Sequence, residues 1–189
     1  MKLILATVFV LLSAQTITTA ASAGDENTSP VHDAMLEQWS YMLEGSGAWR
    51  TPNPDFSGED NSPNAYEIRF EWGPYRQHVT GTLKGIFDTE DGETSVRYWT
   101  FYSWYHPKTE EITLMQIGTN GALGEGTFSI KNGDRQILDQ VFYGPDGSTR
   151  AVRHETIENS PAEHTVIVFH ADEDGEWQKV QEWVWTRIE

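Results

Sequence analysis

Residues 64–72 read Asn64-Ala65-Tyr66-Glu67-Ile68-Arg69-Phe70-Glu71-Trp72. In an extended chain Tyr66, Ile68, Phe70 and Trp72 fall on one face, and Glu67, Arg69 and Glu71 on the other. A period of two with one dry and one wet face marks a half-buried antiparallel strand. Working outward, similar stretches run from Tyr75 to Phe87, Thr94 to Tyr105, Glu111 to Gly118, Gly124 to Ile130, Gln136 to Tyr143, Thr149 to Glu158, Glu163 to Ala171 and Glu176 to Arg187, and Gly47 to Thr51 precedes them all. Between them stand Asp91-Gly92, Asn120-Gly121, Asn132-Gly133, Asp146-Gly147 and Asp174-Gly175, pairs that tolerate the positive φ of tight hairpins. No helix-length pattern interrupts the series, so a βαβ architecture is excluded. The chain predicts an all-β fold, an antiparallel up-and-down β-barrel of about ten strands with one short N-terminal helix.

That helix is predicted over Asp33 to Leu43. Met35 or Leu36, Trp39, and Met42 or Leu43 recur at helical spacing. Asp33 suits its start and Gly45 its end. Its apolar stripe must cover something, so the helix either plugs an open barrel end or gates an entrance. Thr51 to Pro63, rich in Pro, Asn, Asp, Ser and Gly, is the longest irregular stretch. It is either a specificity loop at a barrel mouth or a passive insertion.

Residues 1–23 read as a secretory signal: Lys2, an apolar run from Leu3 to Leu12, then Ala21-Ser22-Ala23. The run is shorter than the roughly 20 residues that span a bilayer. Residues 24–32 read as a flexible leader and 33–189 as the barrel domain. The expected location is secreted or periplasmic, without membrane association after cleavage. There is no cysteine, which excludes disulfides, thiol catalysis and Cys-based metal sites. Lys plus Arg number 13 against 29 Asp plus Glu, a net charge of −16, which disfavours nucleic acid and anionic lipid as partners. The acidic runs at Asp88 to Glu93 and Asp172 to Glu176 read as solvated turns. They lack the ligand spacing and closing Glu of an EF-hand.

Gly47-Ala48-Trp49 at the start of the first strand and Arg187 near the end of the last resemble the signature of the calycin superfamily, the lipocalin-like and fatty-acid-binding-protein-like barrels. Further features resemble lipocalin-like secreted bacterial domains of unknown function: Leu43-Glu44-Gly45, Tyr105-His106-Pro107-Lys108-Thr109, Gly124-Glu125-Gly126-Thr127, Asp174-Gly175-Glu176-Trp177 and Glu182-Trp183-Val184-Trp185-Thr186-Arg187. The resemblance covers Leu36 to Arg187. It implies that Trp49 packs at the closed end with Arg187 across its ring, a cation–π contact of about 0.5–2 kcal/mol. The Thr-Asp-x-x-x-Tyr motif of lipocalins and the helical lid of fatty-acid-binding proteins are both missing.

Such a barrel has an inside. If Lys108-Thr109 is a two-residue turn, Tyr105 faces Ile112, Ser103 faces Leu114 and Phe101 faces Gln116. On this register one face carries Arg97, Trp99, Phe101, Ser103, Tyr105, Leu114 and Gln116. This is the expected ligand-lining face. An inward Arg97 needs an internal partner, a rim position or a ligand carboxylate. Trp177, Trp183 and Trp185 share parity with Arg187 and read as one stripe at the closing seam.

The six histidines show no chelating spacing, so no metal is assigned and no cofactor is expected. A haem would need only one axial ligand, for which His154 is the candidate. A symmetric turn near Ser160-Pro161 would set His154 opposite Ile167. No nucleophile elbow, phosphate loop or zinc motif occurs. No catalytic residue is assigned; were the chain an enzyme, a buried Glu155 with Arg153 or His154 nearby is the grouping expected to act. The function expected is non-catalytic binding of a small apolar or amphipathic molecule in the lumen. The alternatives are a barrel enzyme acting on a small substrate and a protein-interaction module with a filled lumen.

Overall fold

The computed structural model describes residues 29–58, 61–131 and 135–189. The signal segment, the first part of the leader and the Asn132-Gly133 turn pair lie outside the described residues. One helix, α1 (Pro30–Leu43), precedes ten strands: β1 (Ala48–Pro52), β2 (Ala65–Trp72), β3 (His78–Thr89), β4 (Gly92–His106), β5 (Glu111–Gly118), β6 (Leu123–Lys131), β7 (Arg135–Tyr143), β8 (Thr149–Ser160), β9 (Glu163–Ala171) and β10 (Trp177–Ile188). Each strand pairs antiparallel with the next, and β1 also pairs with β10 through Ala48, Trp49 and Arg50, so the meander closes into a barrel. Closure joins the first and last strands, which an open sheet leaves as edges. The described residues hold no helix long and apolar enough to cross a membrane.

Alternate turns of a meander lie at the same end. One end carries the β2–β3, β4–β5, β6–β7 and β8–β9 connections, and α1 closes it. Met35 and Trp39, 1% and 7% exposed, pack on Val79 and Ile112, with Trp72 and Tyr105 at the margin. The helix begins at Pro30, three residues before the expected start, with Ser29 at the N-cap. Proline is favoured at the first helical position, where its missing N–H is an orphan anyway. Asp33 therefore sits in the first turn and not at the cap. Tyr75, expected to open β3, belongs instead to a short 3-10 turn (Pro74–Arg76), and it is 93% exposed.

The last turn of α1 has no basic residue, and its carbonyls are met from the barrel. The Trp49 indole N–H donates to Met42 O at 2.9 Å, and the Arg187 guanidinium donates to Tyr41 O at 2.8 Å and to Glu44 O. Trp49 pairs with Arg187 in the β1–β10 ladder, and the guanidinium carbon lies 4.2 Å from the centre of its ring. One cation thus covers the indole, caps the helix C-terminus and holds the seam. Gly47 makes the approach possible. Its φ is +64°, and a Cβ there would come within 2.4 Å of Phe70 O. Gly47→Ala combines left-handed strain with a backbone clash, and is expected to cost about 2 kcal/mol, read as a lowered urea midpoint.

Three bulges set the facing of the strands. Tyr98 is the extra residue in the β3–β4 pair, Asn159 in β8–β9 and Val180 in β9–β10. Each reverses the facing of everything beyond it. So Arg97 is exposed, not inside beside Trp99 as parity alone requires. Trp177 leaves the Trp183–Trp185 stripe and lies on the outer wall, 4.5 Å from the Arg153 guanidinium. His154 stands opposite Val168, not Ile167, because the turn falls at Pro161-Ala162 and Asn159 bulges.

Candidate ligand cavity in the barrel lumen

The lumen holds a cavity of about 360 Å³. Its floor is the plug helix, through Gln38, Trp39 and Met42. Its walls are the inward-facing residues of the strands, and they differ in character. The β2–β4 and β9–β10 side is almost wholly apolar, from Ile68, Phe70 and Phe101 round to Val166, Val168 and Trp185. The β5, β7 and β8 side carries Gln116, Gln136, Gln140, His154 and Thr156. Among the described residues no Lys, Arg, Asp or Glu lines the space.

Of the seven residues expected on the lining face, Trp99, Phe101, Ser103, Leu114 and Gln116 line the cavity. The expected register of the β4–β5 hairpin is the observed one, with Ser103 opposite Leu114 and Phe101 opposite Gln116. Tyr105 is on the same face but beyond the floor, against α1, with its ring 5.0 Å from that of His32. Arg97 is outside. The Ser103 hydroxyl is occupied, donating to Thr113 O at 3.0 Å.

The polar wall depends on two glycines. Gly124 and Gly126 face inward on β6, between Gln116 of β5 and Gln140 of β7. With no side chain between them, Gln116 Nε2 reaches across to donate to Gln140 Oε1 at 3.3 Å. A Cβ on Gly124 would come within 2.9 Å of Gln116 Cγ, and one on Gly126 within 2.6 Å of Gln140 Cγ. Gln140 is 3% exposed, and among the described residues neither its Nε2 nor His154 Nδ1 has a partner. Sequence reasoning placed neither glutamine of β7, because Gln136-Ile137-Leu138-Asp139-Gln140 carries apolar residues at both parities. The glycine pair one strand away was the usable signal, since inward glycine marks a close approach.

Three histidines are held below the usual imidazole range, His170 by burial and then Arg150, and His154 and His164 further down. Burial, and then the neighbouring His170, push His154 down to about 4. Burial, and then the Arg187 charge, push His164 down to about 4. The ring of His164 is wedged edge-on against Trp49, with centroids 4.4 Å apart, and stacks on Trp185. Both are therefore neutral at pH 7. Arg153 and Glu155 point outward and pair with Asp139 and Arg135, so the grouping with His154 does not exist: alternation puts His154 inside and its neighbours outside. Among the described residues no three His, Asp or Glu side chains are placed to hold a metal.

The other end of the barrel bears the β1–β2, β3–β4, β5–β6, β7–β8 and β9–β10 connections. Asp55, in the long β1–β2 loop, accepts a hydrogen bond from Gln181 at 3.4 Å. Asp88, Glu90 and Asp91 lie in the β3–β4 hairpin, Asp146 in the β7–β8 turn, and Asp172, Glu173, Asp174 and Glu176 in the β9–β10 turn. No Lys or Arg occurs in the described residues of these connections.

No protein-family model matches this chain, and no curated protein matches it. The closed barrel with its short helix is what the calycin resemblance implied at the level of fold.

Proposed function

We propose that this chain is an exported, calycin-like barrel that binds one small, partly apolar molecule in its lumen and performs no chemistry on it. The cavity carries the reading. Its 360 Å³ lies within the range of small-molecule sites, which are mostly apolar with a few placed polar groups. A barrel of this type either fills its interior with side chains or leaves room for a single ligand, and here the inward Gly124 and Gly126 keep one wall bare.

The uncharged dye N-phenyl-1-naphthylamine tests this. Its emission is expected to rise on mixing with the mature protein, with energy transfer from Trp99, Trp183 and Trp185 of the lining. Val166→Trp, which places a large ring in the lumen at a strain of about 1–3 kcal/mol, is expected to abolish the signal while leaving a folded barrel by circular dichroism. Dye binding that survives in this variant at full affinity would place the site elsewhere. Native mass spectrometry of freshly purified protein reads the natural occupant directly.

A further inference from the structure

Resting on the lumen-binding reading above, we propose that the ligand is an uncharged apolar molecule bearing a hydrogen-bond-accepting oxygen, and that this oxygen docks on the free amide nitrogen of Gln140.

The first support is charge. An anionic headgroup entering this cavity would meet no Lys or Arg among the described residues. Moving a carboxylate out of water without a counter-charge costs several kcal/mol. His154 does not compensate, because it is held neutral down to about pH 4 by burial and by His170. The connections at the end opposite α1 carry carboxylates and, among the described residues, no Lys or Arg, so an anion approaching from that end is also repelled, over about one Debye length of 8–10 Å. A cation is drawn to that end but finds no Asp or Glu inside.

The second support is the unmade hydrogen bond. The Gln140 carbonyl is used by Gln116, while its Nε2 is buried and has no acceptor. Such a donor costs about 1–3 kcal/mol while unpaired. A ligand oxygen removes that cost, and a hydrocarbon does not. Gly124 and Gly126 place no side chain between Gln116 and Gln140. The facing wall is aromatic, with Phe70 and Phe101 rings 6.4 Å apart, which suits the apolar body of the same molecule.

Three molecules of one shape separate the terms: 2-acetylnaphthalene, 2-ethylnaphthalene and 2-naphthoate, measured by equilibrium dialysis at pH 7.5. The ketone is expected to bind tightest. The hydrocarbon should bind roughly 3- to 10-fold more weakly, the worth of one hydrogen bond, and the anion at least about 10-fold more weakly. In Gln140→Met, close in volume but without a donor, the ketone-to-hydrocarbon ratio is expected to fall to about one. Naphthoate binding as tightly as the ketone overturns the proposal. So does an unchanged ratio in the variant. Should the variant fail to fold, the order of the three probes on the native chain still decides. If none of the three binds while N-phenyl-1-naphthylamine does, the oxygen-acceptor proposal falls and the container reading stands. If the dye fails as well, both fall.

Discussion

Trp49→Ala is expected to lower folding stability by about 3–5 kcal/mol, the range for removing a fully buried large aromatic ring. The indole is 0% exposed. Its ring lies 4.4 Å from His164 and 5.4 Å from Tyr41, and beneath the Arg187 guanidinium. Alanine leaves a void between these groups that the barrel cannot close, because each is anchored separately. Arg187 is held on Tyr41 O and Pro161 O, both at 2.8 Å, and the single Tyr41 hydroxyl proton is shared between Ser160 O and Glu163 O. Alanine also strips Met42 O of its donor. Domains are stable by only about 5–15 kcal/mol, so a large share of the total is lost at one position. Trp49→Phe keeps most of the volume and loses the hydrogen bond, and should cost only about 1–2 kcal/mol beyond its smaller ring. Urea titrations followed by circular dichroism measure both. If Trp49→Ala unfolds within about 1 kcal/mol of the native chain, the Trp49–Arg187 seam does not hold the barrel shut.

The same pair shows what the sequence made legible. Gly47-Ala48-Trp49 and Arg187 sit at opposite ends of the meander, and a chain whose turns alternate end to end has to bring them together if it closes. The ten strands were readable because alternation and turn pairs are local signals. Positions 92, 121, 147 and 175, the glycines of those pairs, do take positive φ. The β4–β5 register was readable because a short hairpin fixes it. What failed was parity at a distance. Tyr98, Asn159 and Val180 have nothing in common as residues, yet each carries a bulge, and past each one the inside becomes the outside. Arg97 and Trp177 were misplaced for that reason alone. The polar wall was hidden differently. Gln140 meets Gln116 across β6 because Gly124 and Gly126 carry no side chain there, while Gln136 lies opposite Ile130. That fact belongs to the pairing of β6 with β7 and to neither strand separately.

Between pH 7 and pH 4 the protein is expected to lose about 3 kcal/mol of stability through His164 and a smaller amount through His154. The sign follows from the direction of the shift. In the unfolded chain each ring takes up its proton near 6.5. In the folded chain both are pushed down to about 4, by burial first. Within that window the unfolded state binds more protons, so acidification favours unfolding, and the loss levels off below the folded value. His164 carries the larger share, since it is 2% exposed with Trp49, Trp185 and Tyr41 around it and Arg187 close by. His154 faces the lumen, where water or a polar ligand returns part of its desolvation cost. Other groups act elsewhere or oppositely. Asp146 and Asp172 are held below the usual carboxylate range by hydrogen bonds, the first from Ser148 and the second from the Glu176 backbone and Gln178, so they titrate beneath this window. Protonating surface carboxylates relieves the repulsion of a chain carrying −16, which favours the folded state as pH falls. Comparing the native chain with His164→Phe cancels both effects. The native chain should lose about 3 kcal/mol more than the variant between pH 7 and pH 4, measured as urea midpoints at half-unit steps. Parallel profiles would mean that His164 takes up its proton at the same pH folded and unfolded, and that the wedge between Trp49 and Trp185 imposes no net penalty on the charged ring.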